Sequence, residues 1–502
     1  MNLSVGGIAE ACGGRLFLRD GLDSDMYVSS LVIDSRRIEA GGVFLAAAGE
    51  KTDGHRFVSR VFEEGACLAV VEKTPEQVQR ETGEDCSCWG SYLLVENTLQ
   101  ALKDIAEYYR SRLDIRIVGI TGSVGKTSTK EFIAGVLAEK FKVLKTEGNF
   151  NNEIGVPLTL LRIREEHEAA VVEMGISDFG EMHRLSKMVK PDVCVITNIG
   201  QCHLENLKSR DGILKAKSEI FDFMAEDGEI CLNGEDDKLS ALTEVKGRKP
   251  HFFGLGGNAA EEVTAEKIVG RGLWGSDGVL YFRHAGGPKA GQSMADREET
   301  SRVTEGEGAE ETAVPIHVPL PGAHMVLNAA AAACVARLFG LSGQETARGI
   351  AGIAPVDGRN HLIPLRGYTL IDDCYNANPA SMRAAIDLLS LADTEKVAIL
   401  GDMFELGEAS DALHAGVGEY AASAGIDRIL CVGENSRHTF RAAADRGQGK
   451  LCVTYFPDRE SLLKALEENP EEYVPGGSTI LVKASHGMEF TRVLEFLREK
   501  GA

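Results

Sequence analysis

Seven residues, Thr121-Gly-Ser-Val-Gly-Lys-Thr127, combine what is needed to hold a polyphosphate: glycines that bring backbone amides close to anionic oxygens, then a lysine and a hydroxyl. In such a loop Gly122, Ser123 and Gly125 cradle the oxygens and Lys126 reaches the β- and γ-phosphates. Thr127 ligates Mg²⁺, and Ser128 continues the phosphate-facing turn. The common G-x-x-x-x-G-K-[ST] spacing would place glycine at 120, where this chain has Ile120; the loop is the shorter T-G-S-x-G-K-T form. The expected ligands are ATP and Mg²⁺.

Such a cradle needs a strand before it and a helix after it. Ile117, Val118 and Ile120 read as a buried strand, and Phe132, Ile133, Val136 and Leu137 recur at helical spacing. Further apolar runs at 143–145, 169–173, 193–198 and 230–232 alternate with helical stretches, the pattern of a parallel sheet covered on both faces. Ligands bind beyond the C-terminal strand ends of such sheets. There lie Gly148-Asn-Phe-Asn-Asn-Glu-Ile-Gly155, Glu173, and the segment 198–205. A strand-end carboxylate such as Glu173 is costly to bury unless paired or coordinating a cation, so a Mg²⁺ ligand is expected there. His203, beside Asn198 and Glu205, also fits a simple hydrogen-bonded histidine.

Two further stretches carry α/β patterning, so the fold expected is α/β in three domains. Residues 1–112 hold short strands at 28–33, 43–47, 68–71 and 92–95, with polar clusters Asp34-Ser-Arg36 and Gly49-Glu-Lys-Thr-Asp-Gly-His55 directly after two of them. These clusters suit either turns or a ligand site. Residues 113–355 form the central phosphate-loop domain, with a flexible insertion at about 286–312 whose Gly, Glu, Ala and Ser content cannot offset its ordering entropy by burial. Residues 356–502 hold strands at 368–372, 397–400, 429–432, 451–455 and 479–482 without a glycine fingerprint, which suits a Rossmann-like lid or substrate domain. Arg359 and Lys483 are its candidate cations for a transferring γ-phosphoryl group.

Composition narrows the class. The net charge of −22, from 76 acidic and 54 basic residues, disfavours nucleic acid and anionic lipid as partners. Eleven scattered cysteines suit a reducing compartment. Neither a signal peptide nor an apolar run long enough to span a membrane is expected, so the protein is read as cytoplasmic and not membrane-inserted. Phosphoryl transfer to a hydroxyl, hydrolysis driving a motion, and carboxylate activation for ligation all remain compatible with the motifs themselves.

The whole chain resembles the Mur ligases, the ATP-dependent amide-forming enzymes of peptidoglycan precursor synthesis. The resemblance rests on Thr121-Gly-Ser-Val-Gly-Lys-Thr127, Gly148-Asn-Phe-Asn-Asn-Glu-Ile-Gly-Val-Pro157, Thr197-Asn-Ile-Gly-Gln-Cys-His-Leu-Glu205, Lys215-Ala-Lys-Ser-Glu-Ile-Phe221 and Asn328-Ala-Ala-Ala-Ala. Tyr375-Asn-Ala-Asn-Pro379 and Gly401-Asp-Met-Phe-Glu-Leu-Gly407 point to the branch that joins D-alanyl-D-alanine to UDP-N-acetylmuramoyl-tripeptide through an acyl phosphate. The resemblance implies an N-terminal domain for the UDP-sugar peptide, a central ATPase, and a C-terminal domain for ATP and the incoming amine. A monomer is expected.

By the same resemblance Lys126, Lys217, His203 and Arg359 are catalytic, and Thr127, Glu173, His203 and Lys217 hold two Mg²⁺ ions. Lys217 would do so as a carbamate, although as a bare sequence feature it reads as a solvated helix lysine. Asn328 and Asp372 would lie near the adenosine. Ser35, Arg36, Asp53 and His55 would match the nucleotide-sugar site, and Asn149, Asn151, Asn152, Tyr375, Asn376, Asn378, Lys483 and Ser485 are expected as further substrate-binding residues. The chain departs from the family pattern at Lys483-Ala-Ser-His486, where Lys-Gly-Ser-Arg is usual, and at Cys374, where serine is usual.

Overall fold

Each of the three stretches distinguished by pattern builds its own sheet. A computed structural model describes residues 1–19, 21–49, 52–258, 260–283, 312–447 and 451–501. The expected insertion at about 286–312 lies outside these residues except for its last position.

The first sheet has five strands in the order Arg15–Phe17, Ser91–Leu94, Leu68–Val71, Val43–Leu45, Leu31–Val32, parallel except at the Arg15–Phe17 edge. The central sheet has nine: Thr312–Val318, Ser276–Phe282, Glu261–Gly270, His251–Gly254, Glu229–Asn233, Val193–Ile196, Arg116–Thr121, Ala169–Glu173, Val143–Lys145. Its pairing is parallel from Glu261–Gly270 onward, and the antiparallel strands Ser276–Phe282 and Thr312–Val318 extend that edge. The third sheet has six strands, with His361–Pro364 antiparallel at its edge and the rest parallel.

The parallel central strands read as unbroken apolar runs because both faces are covered. Ile117, Ala170, Val172, Cys194 and Ile196 enter one core; Val118, Ile120, Ala169, Val171, Val193 and Val195 enter the other. The first core continues into the N-terminal sheet through Val43, Leu45, Leu68, Val70 and Leu93, with helix Thr98–Ser111 between the sheets. The second is roofed by helix Ala323–Leu338, buried almost all round, whose alanines pack close to helix Lys126–Leu137. Two strands of this sheet escaped the apolar-run reading, as did Arg15–Phe17 and His361–Pro364 in the other two sheets. His251–Gly254 starts on a histidine, and Glu261–Gly270 carries charges in both its buried first part and its exposed second part.

Glu261 opens that strand at 1% exposure, with Gly234 and Gly254 packed against its carboxyl group. Its Oε2 accepts the Gly256 amide at 2.9 Å, while Oε1 lacks a hydrogen-bond partner among the described residues. Burial pushes its pKa up to about 7. A carboxyl raised above its unfolded value makes the folded state less stable as pH climbs from that value through about 7. Glu261→Gln, a mimic of the protonated acid, should therefore raise the melting temperature at pH 8 and leave it nearly unchanged at pH 5. The gain at pH 8 should be on the order of 2 kcal/mol, read by thermal denaturation at both pH values.

No helix among the described residues is long and apolar enough to cross a membrane.

Candidate active site

The phosphate loop joins strand Arg116–Thr121 to helix Lys126–Leu137. Two glycines are needed there for distinct reasons. Gly122 runs against Thr197, whose Oγ1 would stand 1.9 Å from any added Cβ, and Gly125 caps the helix at φ 83°. The loop is braced from behind by Asn198. The Val124 amide donates to Asn198 Oδ1 at 3.0 Å, Asn198 Nδ2 donates to the Val124 carbonyl at 2.8 Å, and the Ser123 amide donates to the Asn198 carbonyl at 3.0 Å. Asn198 is thus a scaffold for the cradle. First-turn amides find no helix carbonyl, so those at 125–127 are the natural phosphate donors. Lys126 Nζ donates to the Gly122 carbonyl at 2.9 Å, arched over its own loop.

An acidic corner faces the cradle. Thr127 Oγ1 donates to Glu173 Oε2 at 2.8 Å, and Asn151 Nδ2 donates to Glu173 Oε1 at 2.7 Å. Lys130, fully buried one turn after Lys126, lies 4.0 Å from Glu173 and donates to the Thr146 carbonyl at 2.7 Å. Sequence reasoning missed Lys130, although its i+4 spacing from Lys126 places it on the same helix face. Asn152 lines the same wall and caps the next helix by accepting the Ile154 and Gly155 amides.

Between this corner and the third sheet lies a cavity of about 670 Å³. It is bordered by residues 123–129, Asn151, Asn152, Glu173, Asn198, His203 and Asn328. From the third sheet come Arg359, Tyr375, Asn376, Asn378 and Lys483, and from helix Thr98–Ser111 come Leu99 and Lys103. Asn328 Oδ1 accepts from Thr129 Oγ1 at 3.0 Å, which ties the Ala-rich helix to the cradle helix. The Arg359 guanidinium rests 4.2 Å over the Tyr375 ring, a stack that aims it along the cavity wall. Asn378 accepts the Ser381 amide as the cap of helix Pro379–Ser390, which fixes the Asn376–Asn378 turn.

His324 and Asn360, neither singled out from sequence, meet in this cavity at 3.0 Å between Asn360 Nδ2 and His324 Nε2. Burial pushes His324 down to about 4, so the imidazole is neutral near pH 7 and can accept that bond. Asn360 sits at φ 50°, a left-handed turn after Arg359, and its Oδ1 has no partner among the described residues. The turn-forming Gly358-Arg-Asn360 run was the available signal.

Several expected residues have their polar atoms taken up by the frame, and of these only Lys483 also borders the cavity. Lys483, expected as a cation for the transferring phosphoryl group, is 1% exposed and ion-paired to Asp373 at 2.5 Å, with Asn376 O at 3.0 Å. Its charge is met by Asp373, a residue the sequence reading passed over. Ser485 is buried, accepting the Phe404 amide at 2.9 Å. Asp372 accepts the Gly358 amide at 3.2 Å and lies behind the wall. Asn149 is exposed on its loop, its carbonyl taking the Asn151 amide.

In the N-terminal sheet, His55 is 2% exposed with both ring nitrogens engaged: Nδ1 is 2.6 Å from Asp53, and Nε2 accepts the Glu72 amide at 2.9 Å. Its work is to hold the loop. Asp53 also meets Lys73 at 3.2 Å, while Arg36 is exposed and paired with Asp34, and Ser35 is buried at the start of the same turn. Glu72 in turn accepts from the Thr98 amide and hydroxyl at 2.7 and 2.8 Å, so this loop is fastened to the helix whose Leu99 and Lys103 reach the cavity.

Lys217, on helix Arg210–Ser218, is 1% exposed, which rules out the solvated helix lysine. Burial, with Lys126 adding a like charge, pushes its pKa down to about 8. Among the described residues no carboxylate pairs with it. His203, at φ 50°, borders the cavity, with Nδ1 2.6 Å from Glu405 of the third sheet. Among the described residues no group of three or more His, Cys, Asp or Glu side chains makes a ready metal cage.

Comparison with known proteins follows the same three-part division. Residues 27–110 match the Mur ligase family, catalytic domain; residues 120–336 match the Mur ligase middle domain; residues 358–486 match the Mur ligase, glutamate ligase domain. The UDP-N-acetylmuramoyl-tripeptide--D-alanyl-D-alanine ligase of Bacillus subtilis (strain 168) is 34% identical over 94% of this chain and 93% of its own. That of Escherichia coli (strain K12) is 33% identical over 95% of each. A crystal structure of MurF from Acinetobacter baumannii superposes with a TM-score of 0.82 at 30% identity, covering 99% of both chains. MurF ligase from Thermotoga maritima in complex with ADP gives 0.73 at 26% identity, covering 94% of this chain and 97% of that one. The phosphate loop, the acidic corner and the three-sheet frame therefore have one common explanation: this chain belongs to the Mur ligase family.

Proposed function

We propose that the chain joins D-alanyl-D-alanine to UDP-N-acetylmuramoyl-tripeptide at the expense of ATP, as its relatives' names describe, during cytoplasmic peptidoglycan precursor synthesis. Eleven free cysteines suit that reducing compartment. The observation that carries the reading is a cavity to which all three parts of the chain contribute, at a volume suited to a nucleotide. Residues 1–112 present the UDP-sugar peptide, 113–355 hold ATP, and 356–502 close on the nucleotide and deliver the amine.

The first step moves the γ-phosphoryl group to a carboxylate oxygen of the tripeptide, breaking the bond to ADP. Lys126 leaves the Gly122 carbonyl to meet the β- and γ-phosphates, and Arg359 neutralises charge from the opposite wall. The amine then attacks the acyl-phosphate carbon, the tetrahedral centre collapses, and inorganic phosphate leaves with the proton the amine gives up. Tyr375 and the Asn376–Asn378 turn keep the reacting ends beside Arg359 and exclude water.

Oxygen donors at Thr127 and Glu173, 2.8 Å apart, suit Mg²⁺ completed by phosphate oxygens. His203 and Lys217 suit a second ion only once Lys217 is an anion. Its burial and lowered pKa supply the neutral amine that carbon dioxide requires to form a carbamate. The bound ions supply charge neutralisation on the transferring phosphoryl group.

The test is phosphate release from ATP with Mg²⁺ and the UDP-muramoyl tripeptide, with and without D-alanyl-D-alanine. Release should require the dipeptide. Release triggered instead by another amino acid would assign a different member of the family, and release without any amine would contradict ligation.

A further inference from the structure

His203 and Glu405 come from loops of different sheets yet stand 2.6 Å apart, Nδ1 to Oε2, a charge contact that lies off the line of a hydrogen bond. His203 precedes helix Leu204–Leu207 beside the phosphate loop, whereas Glu405 lies in the loop that follows strand Lys396–Gly401. Both residues hold left-handed backbone, at φ 50° and 61°, a conformation uncommon for non-glycine residues. Next to them Gly407, at φ 59°, packs against Glu205, its would-be Cβ 3.6 Å from the Glu205 Cα. The Glu405 loop is itself rigidly mounted. The Met403 amide donates to His414 Nε2 at 3.0 Å, the Phe404 amide to Ser485 Oγ at 2.9 Å, and the Ser485 amide to the Asp402 carbonyl at 3.0 Å.

A histidine that ligates a metal needs its other ring nitrogen held, most often by a carboxylate that fixes both ring orientation and tautomer. The proposed ligand His203 has no such partner from its own sheet among the described residues; Glu405 stands there instead. We propose that Glu405 is a positioning residue for the metal-side face of His203, holding the Nδ1 edge so that Nε2 is the ligating nitrogen. Because Glu405 belongs to the third sheet, the histidine is oriented only while that sheet is docked on the central one. Metal affinity and docking of the amine-delivering part are thereby linked through one side-chain contact. Ser485 gains a role here too: it fastens the loop that carries Glu405.

This inference rests on the proposed reading of His203 as a ligand, and the experiment separates the two. Mn²⁺ binding to the full chain at saturating ADP is followed by electron paramagnetic resonance, with electron spin-echo modulation reporting imidazole nitrogen at the ion. The wild-type protein should show nitrogen modulation, and His203→Ala should lose it. Glu405→Ala should weaken the imidazole-bound ion by about 10–100-fold and diminish the modulation, while Glu405→Gln, which keeps an acceptor oxygen, should recover most of both. A purely structural contact would shift the melting temperature without changing the nitrogen signal. Unchanged affinity and modulation in Glu405→Ala would overturn the inference and leave the ligase reading standing. Absence of nitrogen modulation in the wild-type protein would overturn the His203 assignment and this inference with it. Dipeptide-dependent phosphate release reports on the ligase reading independently.

Discussion

Lys126→Ala should lower dipeptide-dependent phosphate release by about 10³-fold or more while leaving the melting temperature within about a degree of the wild-type value. The side chain is half-buried, and its one hydrogen bond among the described residues goes to a carbonyl of its own loop, so the fold loses little. What is lost is a cation at the bridge between the β- and γ-phosphates, where negative charge accumulates as the bond to ADP stretches. Initial rates at saturating ATP, together with thermal denaturation, decide the matter. A variant that kept a tenth of the wild-type rate would remove the phosphate loop from the mechanism.

Lys217 carries the second large effect, and it reaches through burial. A lysine this enclosed with no carboxylate beside it is poorly placed as a cation, and its folded pKa of about 8 lies well below the ordinary lysine value. The sign follows from linkage. Between that folded value and the ordinary one the unfolded chain holds the proton more tightly, so stability rises with pH across this interval. As a neutral amine the side chain can take up carbon dioxide and become an anion. Lys217→Ala should therefore cost about 10²-fold or more in activity, and short-chain carboxylates should restore part of it by standing in for the carbamate. Phosphate-release rates with and without added acetate or propionate make the comparison. Failure of every small carboxylate to rescue the variant would count against a carbamate.

How much of this was written in the chain depends on which physical signal each residue carries. The phosphate loop was legible because glycine, lysine and hydroxyl must occur in fixed order to make the cradle, and Thr127 does meet Glu173 at 2.8 Å. The central parallel strands were legible because both faces are buried, so nearly every position is apolar. Strand Glu261–Gly270 was not, since charged and apolar residues mix in both its buried and its exposed halves. Lys217 was opaque as a sequence feature, because a helix lysine nearly always faces water; only the resemblance raised it. His55, from loop position, and Ser485, from the resemblance, were expected as ligand contacts, but hydrogen bonds inside the folded chain use up their polar atoms. The meeting of His324 with Asn360, and of His203 with Glu405, joins residues 36 and 202 positions apart, a relation no local pattern encodes.

The central claim is that the γ-phosphoryl group passes to a carboxylate of the peptide substrate before the amide forms. UDP-muramoyl tripeptide labelled with heavy oxygen in its terminal carboxylate tests this directly. After turnover with ATP and D-alanyl-D-alanine in ordinary water, the released phosphate should carry one heavy oxygen, as analysed by mass spectrometry. Amide product formed with unlabelled phosphate, the displaced heavy oxygen appearing in water, would contradict the account.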